Sequence, residues 1–157
     1  MALKEELGLK RGFADTAHEA LLNIYFTASI MKKRADVFFD QFGLTDVQFN
    51  LMDLLHYQSG KEGGLSQAQI SDMMLVNRAN ITSLVDRMEK AGLVTRTDHS
   101  NDRRFNIIKL TAKGEKLFIK VEPNYIGQIH KTMACLDEQA LKKLTGMLEK
   151  VRGALRN

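Results

Sequence analysis

Between Asn77 and Lys113 the chain gathers side chains suited to binding a polymer of phosphates and bases. Eight basic residues fall there (Arg78, Arg87, Lys90, Arg96, Arg103, Arg104, Lys109 and Lys113), against four acids, Asp86, Glu89, Asp98 and Asp102. The excess equals the formal net charge of the whole chain, +4, so the rest is balanced and the positive field is local. A local basic surface is the footprint of a phosphate-binding face; on charge alone, a solvated charged face explains it equally well. Among the basic residues stand Asn77, Ala79, Asn80, Thr82 and Ser83. Arginine can read guanine through two hydrogen bonds, asparagine can read adenine, and serine or threonine can serve a base or a phosphate.

Helices punctuated by capping signals must position these groups. Thr16-Ala-His-Glu19 has the capping-box pattern, and apolar residues from Leu21 to Phe42 recur at helical spacing until Gly43. Thr45-Asp-Val-Gln48 opens a second helix that ends near Ser59-Gly60, and Gly63-Gly64 make a turn. Ser66-Gln-Ala-Gln69 opens a short third helix to about Met74. Asn77 is placed to cap a helix from Arg78 to Ala91, closed by Gly92. On it Ile81, Leu84, Val85 and Met88 share one face; Ala79, Thr82, Ser83, Asp86 and Lys90 lie opposite, flanked by Arg78, Asn80 and Arg87.

The period then changes. Leu93–Thr97 and Phe105–Leu110 read as short strands around the turn residues Asp98-His-Ser-Asn-Asp102. Thr111 caps a further helix, kinked or broken near Pro123, and a last helix runs from about Asp137 to Leu155. The ladder Leu141, Leu144, Leu148, Val151, Leu155 is the narrow seam of a helix that pairs with another.

A helix, a short helix, a turn, a second helix and a hairpin make a winged helix-turn-helix. The expected fold is mainly α with a small β-hairpin wing. Residues 44–111 form the winged unit; 1–43 and 112–157 form a terminal-helix dimerisation layer, whose apolar faces pack on each other or on a second subunit. In such a unit the N-terminal part of the second helix enters the major groove. An arginine at the wing, Arg103 or Arg104, can enter the minor groove.

The runs Leu84-Val-Asp-Arg-Met-Glu-Lys-Ala-Gly-Leu-Val-Thr-Arg96 and Asp102-Arg-Arg-Phe-Asn-Ile-Ile-Lys-Leu-Thr-Ala-Lys-Gly114 resemble the MarR family of bacterial transcriptional regulators. The likeness extends from about Leu21 to the C-terminus. It implies a homodimer on double-stranded DNA, with Arg104 as the minor-groove arginine, Asp102 as its orienting partner and Arg103 at phosphate. Arg87 and Arg96 are either internal ion-pair partners or DNA contacts. The resemblance also implies a repressor released by a small aromatic effector. Tyr25, Phe26, Ser29, Met31, Met52, His56 and Tyr57 are the candidate pocket residues, although aromatic and methionine residues at such spacing are more often core.

Other chemistries find less support. The single cysteine, Cys135, excludes a disulfide framework and a four-thiolate zinc site. A redox-responsive regulator using Cys135 is an alternative, but a buried, inert thiol is the expected state. His18, His56, His99 and His130 include no pair three or four residues apart, so no metal is expected. No nucleotide loop, nucleophile elbow or zinc-protease motif is present, so neither enzyme activity nor a cofactor is expected. Composition and the charged Met1–Arg11 segment predict a cytoplasmic protein without membrane segment or signal peptide. A winged-helix protein–protein adaptor without DNA binding is the rival from another class.

Overall fold

The fold begins with a four-residue helix, α1 (Leu3–Glu6), that the sequence pattern does not announce; it buries Leu3. The computed structural model describes residues 2–60, 63–74, 78–98 and 106–156. Helix α2 (Thr16–Asp40) follows, then α3 (Asp46–Gln58), β1 (Leu65–Ser66), α4 (Gln67–Met74), α5 (Arg78–Lys90), β2 (Val94–Asp98), β3 (Asn106–Leu110), α6 (Ala112–Met133) and α7 (Glu138–Ala154). Among the described residues the chain is thus mainly helical, with one small antiparallel sheet in the order β1-β3-β2.

Caps explain most boundaries. Thr45 and Gln48 form the expected reciprocal box, each side chain accepting from the other's backbone N–H. Ser66 and Gln69 do the same at α4. At α2 the cap is one residue earlier than expected. Asp15, in extended conformation, accepts from the His18 N–H at 2.8 Å, making Thr16 the first helical residue. A carboxylate there also complements the helix dipole, which a hydroxyl cannot do.

Two other expectations are corrected. Of the two outcomes expected near Pro123, a kink or a break, the break does not occur: helix α6 runs through the proline. Proline removes one N–H from the ladder, and in the same turn the Asn124 side chain donates to the Lys120 carbonyl at 3.0 Å. Cys135 is exposed rather than buried, because it falls between α6 and the Asp137 cap of α7. The strand β1 was also unannounced: two residues are too short for alternation, and Ser66 spends its hydroxyl on a helix cap.

The chain divides into two compact units, Met1–Phe118 and Ile119–Asn157. The first holds an aromatic stack. Phe39 of α2 lies 4.6 Å from Phe49 of α3, and Phe49 lies 5.5 Å from Phe118 of α6. All three are essentially inaccessible, as are Leu51, Met52, Ile70 and Ile108. In the second unit, α7 has no buried residue. Among the described residues no helix is long and apolar enough to cross a membrane.

Candidate nucleic-acid interface

Helix α5 has two unlike faces. Ile81, Leu84, Val85 and Met88 are buried to 2% exposure or less, as is Ile70 of α4. Ala79, Asn80, Thr82, Ser83, Asp86, Arg87 and Lys90 are exposed. The apolar stripe therefore fixes the rotation of the helix about its axis, and the polar residues are what it offers outward. Arg78 opens the helix.

Its far end is closed by a Schellman motif. Gly92 takes φ 70°, its N–H bonds the Glu89 carbonyl at 2.9 Å, and the Leu93 N–H bonds the Met88 carbonyl at 2.9 Å. A positive φ at this point is nearly free for glycine and strained for other residues. The chain turns directly into β2, which pairs with β3 from Val94↔Leu110 to Asp98↔Asn106. Leu65 and Ser66 of β1 pair with Ile108 and Ile107 on the other edge of β3.

Arg96 joins the hairpin to α5. Its two terminal nitrogens pair with Asp86 and Glu89, and its backbone N–H donates to Glu89 at 3.1 Å. Partial burial disfavours the charged guanidinium, but the two carboxylates outweigh that and hold its pKa above the ordinary arginine value. Arg96 is therefore an internal ion-pair partner, and Asp86, although on the outward face, is engaged by it. Arg87 is exposed and donates from Nε to the Ser83 carbonyl of its own helix at 3.3 Å. Because both carboxylates remain accessible, Arg96→Ala is expected to cost about 1 kcal/mol of unfolding free energy. Urea denaturation beside the exposed-site control Lys116→Ala checks this; equal losses would remove any role for the bridge in stability.

Asn77, Asp102, Arg103 and Arg104 lie outside the described residues, as do His99 and Asn101 and the side chain of Arg78. Of the pocket candidates, Met52 is fully buried. His56 and Tyr57 meet edge-on at 4.6 Å, and both rings approach Phe118. The Nδ1 of His56 is 2.8 Å from Glu115, an acid that the sequence pattern did not single out. Tyr25, Ser29 and Met31 are exposed on α2, and Phe26 is half-buried there; helical spacing turns Met31 away from the other three. Among the described residues no three His, Cys, Asp or Glu side chains gather as a metal site.

Comparison with known proteins bears on this arrangement. Residues 42–104 match a family model described as MarR family. The HTH-type transcriptional regulator MhqR of Bacillus subtilis is 29% identical over 109 residues, 69% of this chain and 72% of that protein. The crystal structure of AbsC, a MarR family transcriptional regulator from Streptomyces coelicolor, superposes with a TM-score of 0.82 at 18% identity, covering 93% of this chain and 99% of that one. The S. aureus MepR–DNA complex gives 0.76 at 23% identity, covering 85% and 96%. At these identities the two structural likenesses establish the fold.

Proposed function

We propose that the chain is a transcriptional regulator of MarR type, the family whose model residues 42–104 match, and that it acts as a homodimeric repressor on a pseudo-palindromic duplex operator. The observation that carries this reading is α5. Its apolar face is sealed, so the exposed Ala79, Asn80, Thr82 and Ser83 form a polar surface toward its N-terminal end. Backbone approach at Ala79, base-edge hydrogen bonds from Arg78 and Asn80, and phosphate contacts from Asn77, Thr82, Ser83 and Arg103 are the roles assigned. The MepR likeness, to a protein solved with DNA, supports the same use of the fold.

Segments 1–43 and 112–157 are the proposed dimerisation region. Val37, Met147 and Leu155 are 69%, 62% and 81% exposed, apolar surface that a second copy would cover. Two copies would present their α5 helices to successive major grooves, with half-site centres about 10 bp apart. A small aromatic effector beside His56 and Tyr57, with Tyr25, Phe26 and Ser29 as further contacts, would release DNA by favouring a dimer of different spacing; the fully buried Met52 and the oppositely facing Met31 leave the candidate set. Such a protein acts in the cytoplasm.

The test is fluorescence anisotropy with DNA from upstream of the protein's own gene, at several salt concentrations, with scrambled duplex as competitor. Specific binding with a log–log salt slope of several units is expected. No binding to any duplex at low salt would transfer the assignment to a protein–protein adaptor. Arg78→Ala and Asn80→Ala are each expected to cost about 1–3 kcal/mol of binding and to relax base preference at one operator position. Unchanged discrimination in both variants would remove α5 from base reading.

A further inference from the structure

Three successive carbonyls beyond the end of α5 are occupied by two residues of the α6 entry. The Ala91 carbonyl accepts from Lys113 Nζ at 2.7 Å. The Gly92 carbonyl accepts from Thr111 Oγ1 at 2.6 Å. The Leu93 carbonyl accepts from the Thr111 backbone N–H at 3.0 Å. Thr111 Oγ1 also accepts from the Gly114 N–H at 3.0 Å, so the same hydroxyl caps α6. A lysine at a helix C-terminus complements the dipole there, and this one comes from 22 residues downstream.

We propose that Lys113 and Thr111 are positioning residues for DNA reading. They hold the C-terminal end of α5 on the first turn of α6 and so set the pose in which its N-terminal turn meets the bases. Lys113 thereby leaves the set of phosphate contacts to which its charge alone would assign it. The lever is long. A 13-residue helix spans about 20 Å, so a swing of about 5° at the anchored end moves the reading end by about 1.7 Å. That exceeds the distance tolerance of a hydrogen bond to a base edge. Arg96 restrains α5 from the β2 side through Asp86 and Glu89; the α6 entry supplies the restraint at the end of the helix.

The inference rests on the DNA-binding reading, and the experiment separates the two. A duplex is selected from a random library with the full-length wild-type protein. Affinities for it and for a scrambled duplex are then measured at several salt concentrations for wild type, Lys113→Met, Lys113→Arg and Thr111→Val. Lys113→Met and Thr111→Val are expected to lose about five- to tenfold on the selected duplex. Binding to scrambled DNA and the salt slope stay unchanged, and Lys113→Arg, which keeps a cationic donor, restores most of the loss. Should Thr111→Val fail to fold, the exposed Lys113 pair decides alone. Equal losses on both duplexes with a slope reduced by about one per protomer would make Lys113 a phosphate contact. Wild-type affinity in folded Lys113→Met would likewise overturn the proposal. Wild-type protein that selects no sequence would instead overturn the DNA-reading function itself, and the positioning role with it.

Discussion

Gly114→Ala is expected to lower the thermal unfolding midpoint by about 5–10 °C, although alanine is the better helix former. A Cβ at residue 114 would sit 2.1 Å from the Leu93 carbonyl oxygen and 3.2 Å from Leu110 Cδ2. The obstruction is backbone, and it is tethered. The same carbonyl accepts from the Thr111 N–H, and the Leu93 N–H is committed to Met88. The first turn of α6 must therefore move off the α5–β2 turn, breaking the bonds made by Thr111 and Lys113. Overpacking of this kind costs about 1–3 kcal/mol, with the broken hydrogen bonds in addition, against a propensity gain of about 1 kcal/mol. The net of about 2–3 kcal/mol converts to that midpoint shift for a chain of this size. Gly146→Ala in α7, where a Cβ meets nothing within 4 Å of its own chain, should move the midpoint upward. Differential scanning calorimetry on both variants checks the pair; a Gly114→Ala protein at least as stable as wild type would mean the α6 entry tolerates displacement. Folded Gly114→Ala protein should also bind DNA more weakly, through the same junction.

Arg104→Ala should weaken operator binding by roughly two orders of magnitude, the largest loss expected of any single DNA contact. A guanidinium in a narrow A·T minor groove meets concentrated negative potential and several acceptors. An interaction of about 1–3 kcal/mol per site, made twice by the proposed dimer, multiplies to that loss. The loss should be greater on A·T-rich than on G·C-rich flanks, and Arg104→Lys should recover only part of it, because ammonium lacks the planar fork. Anisotropy titrations on duplexes differing only in their flanks measure both effects. Equal losses on the two flanks would place Arg104 at phosphate instead.

Features that depend on neighbours within a turn were readable in the linear order of residues. The boxes at Thr45 and Ser66, the glycine after α5 and the apolar stripe Ile81–Met88 all act within four or five positions. Each appears where spacing requires it, whereas the alternation expected of β3 is absent, since the adjacent Ile107 and Ile108 are both buried. The MarR likeness was legible for the same reason, since its motifs lie in two short runs. Where two local signals competed, order alone did not rank them: Asp15 and Thr16 are both good caps, and the charged one took α2.

Partnerships across long stretches of chain were a different matter. Asp86 reads as an outward, groove-facing acid on a helical wheel, yet it belongs to Arg96, because the tight α5–β2 turn brings that arginine back along the helix. Lys113 reads as one more positive charge, yet its ammonium is committed to a carbonyl 22 residues earlier. Glu115 carries no signal until α3 and α6 pack and set it against His56. Charge and periodicity are properties of a residue and its near neighbours. The partner a charge takes, and hence whether it faces a ligand or braces the fold, is set by which distant segments the buried aromatic stack and the strand register bring within hydrogen-bond reach.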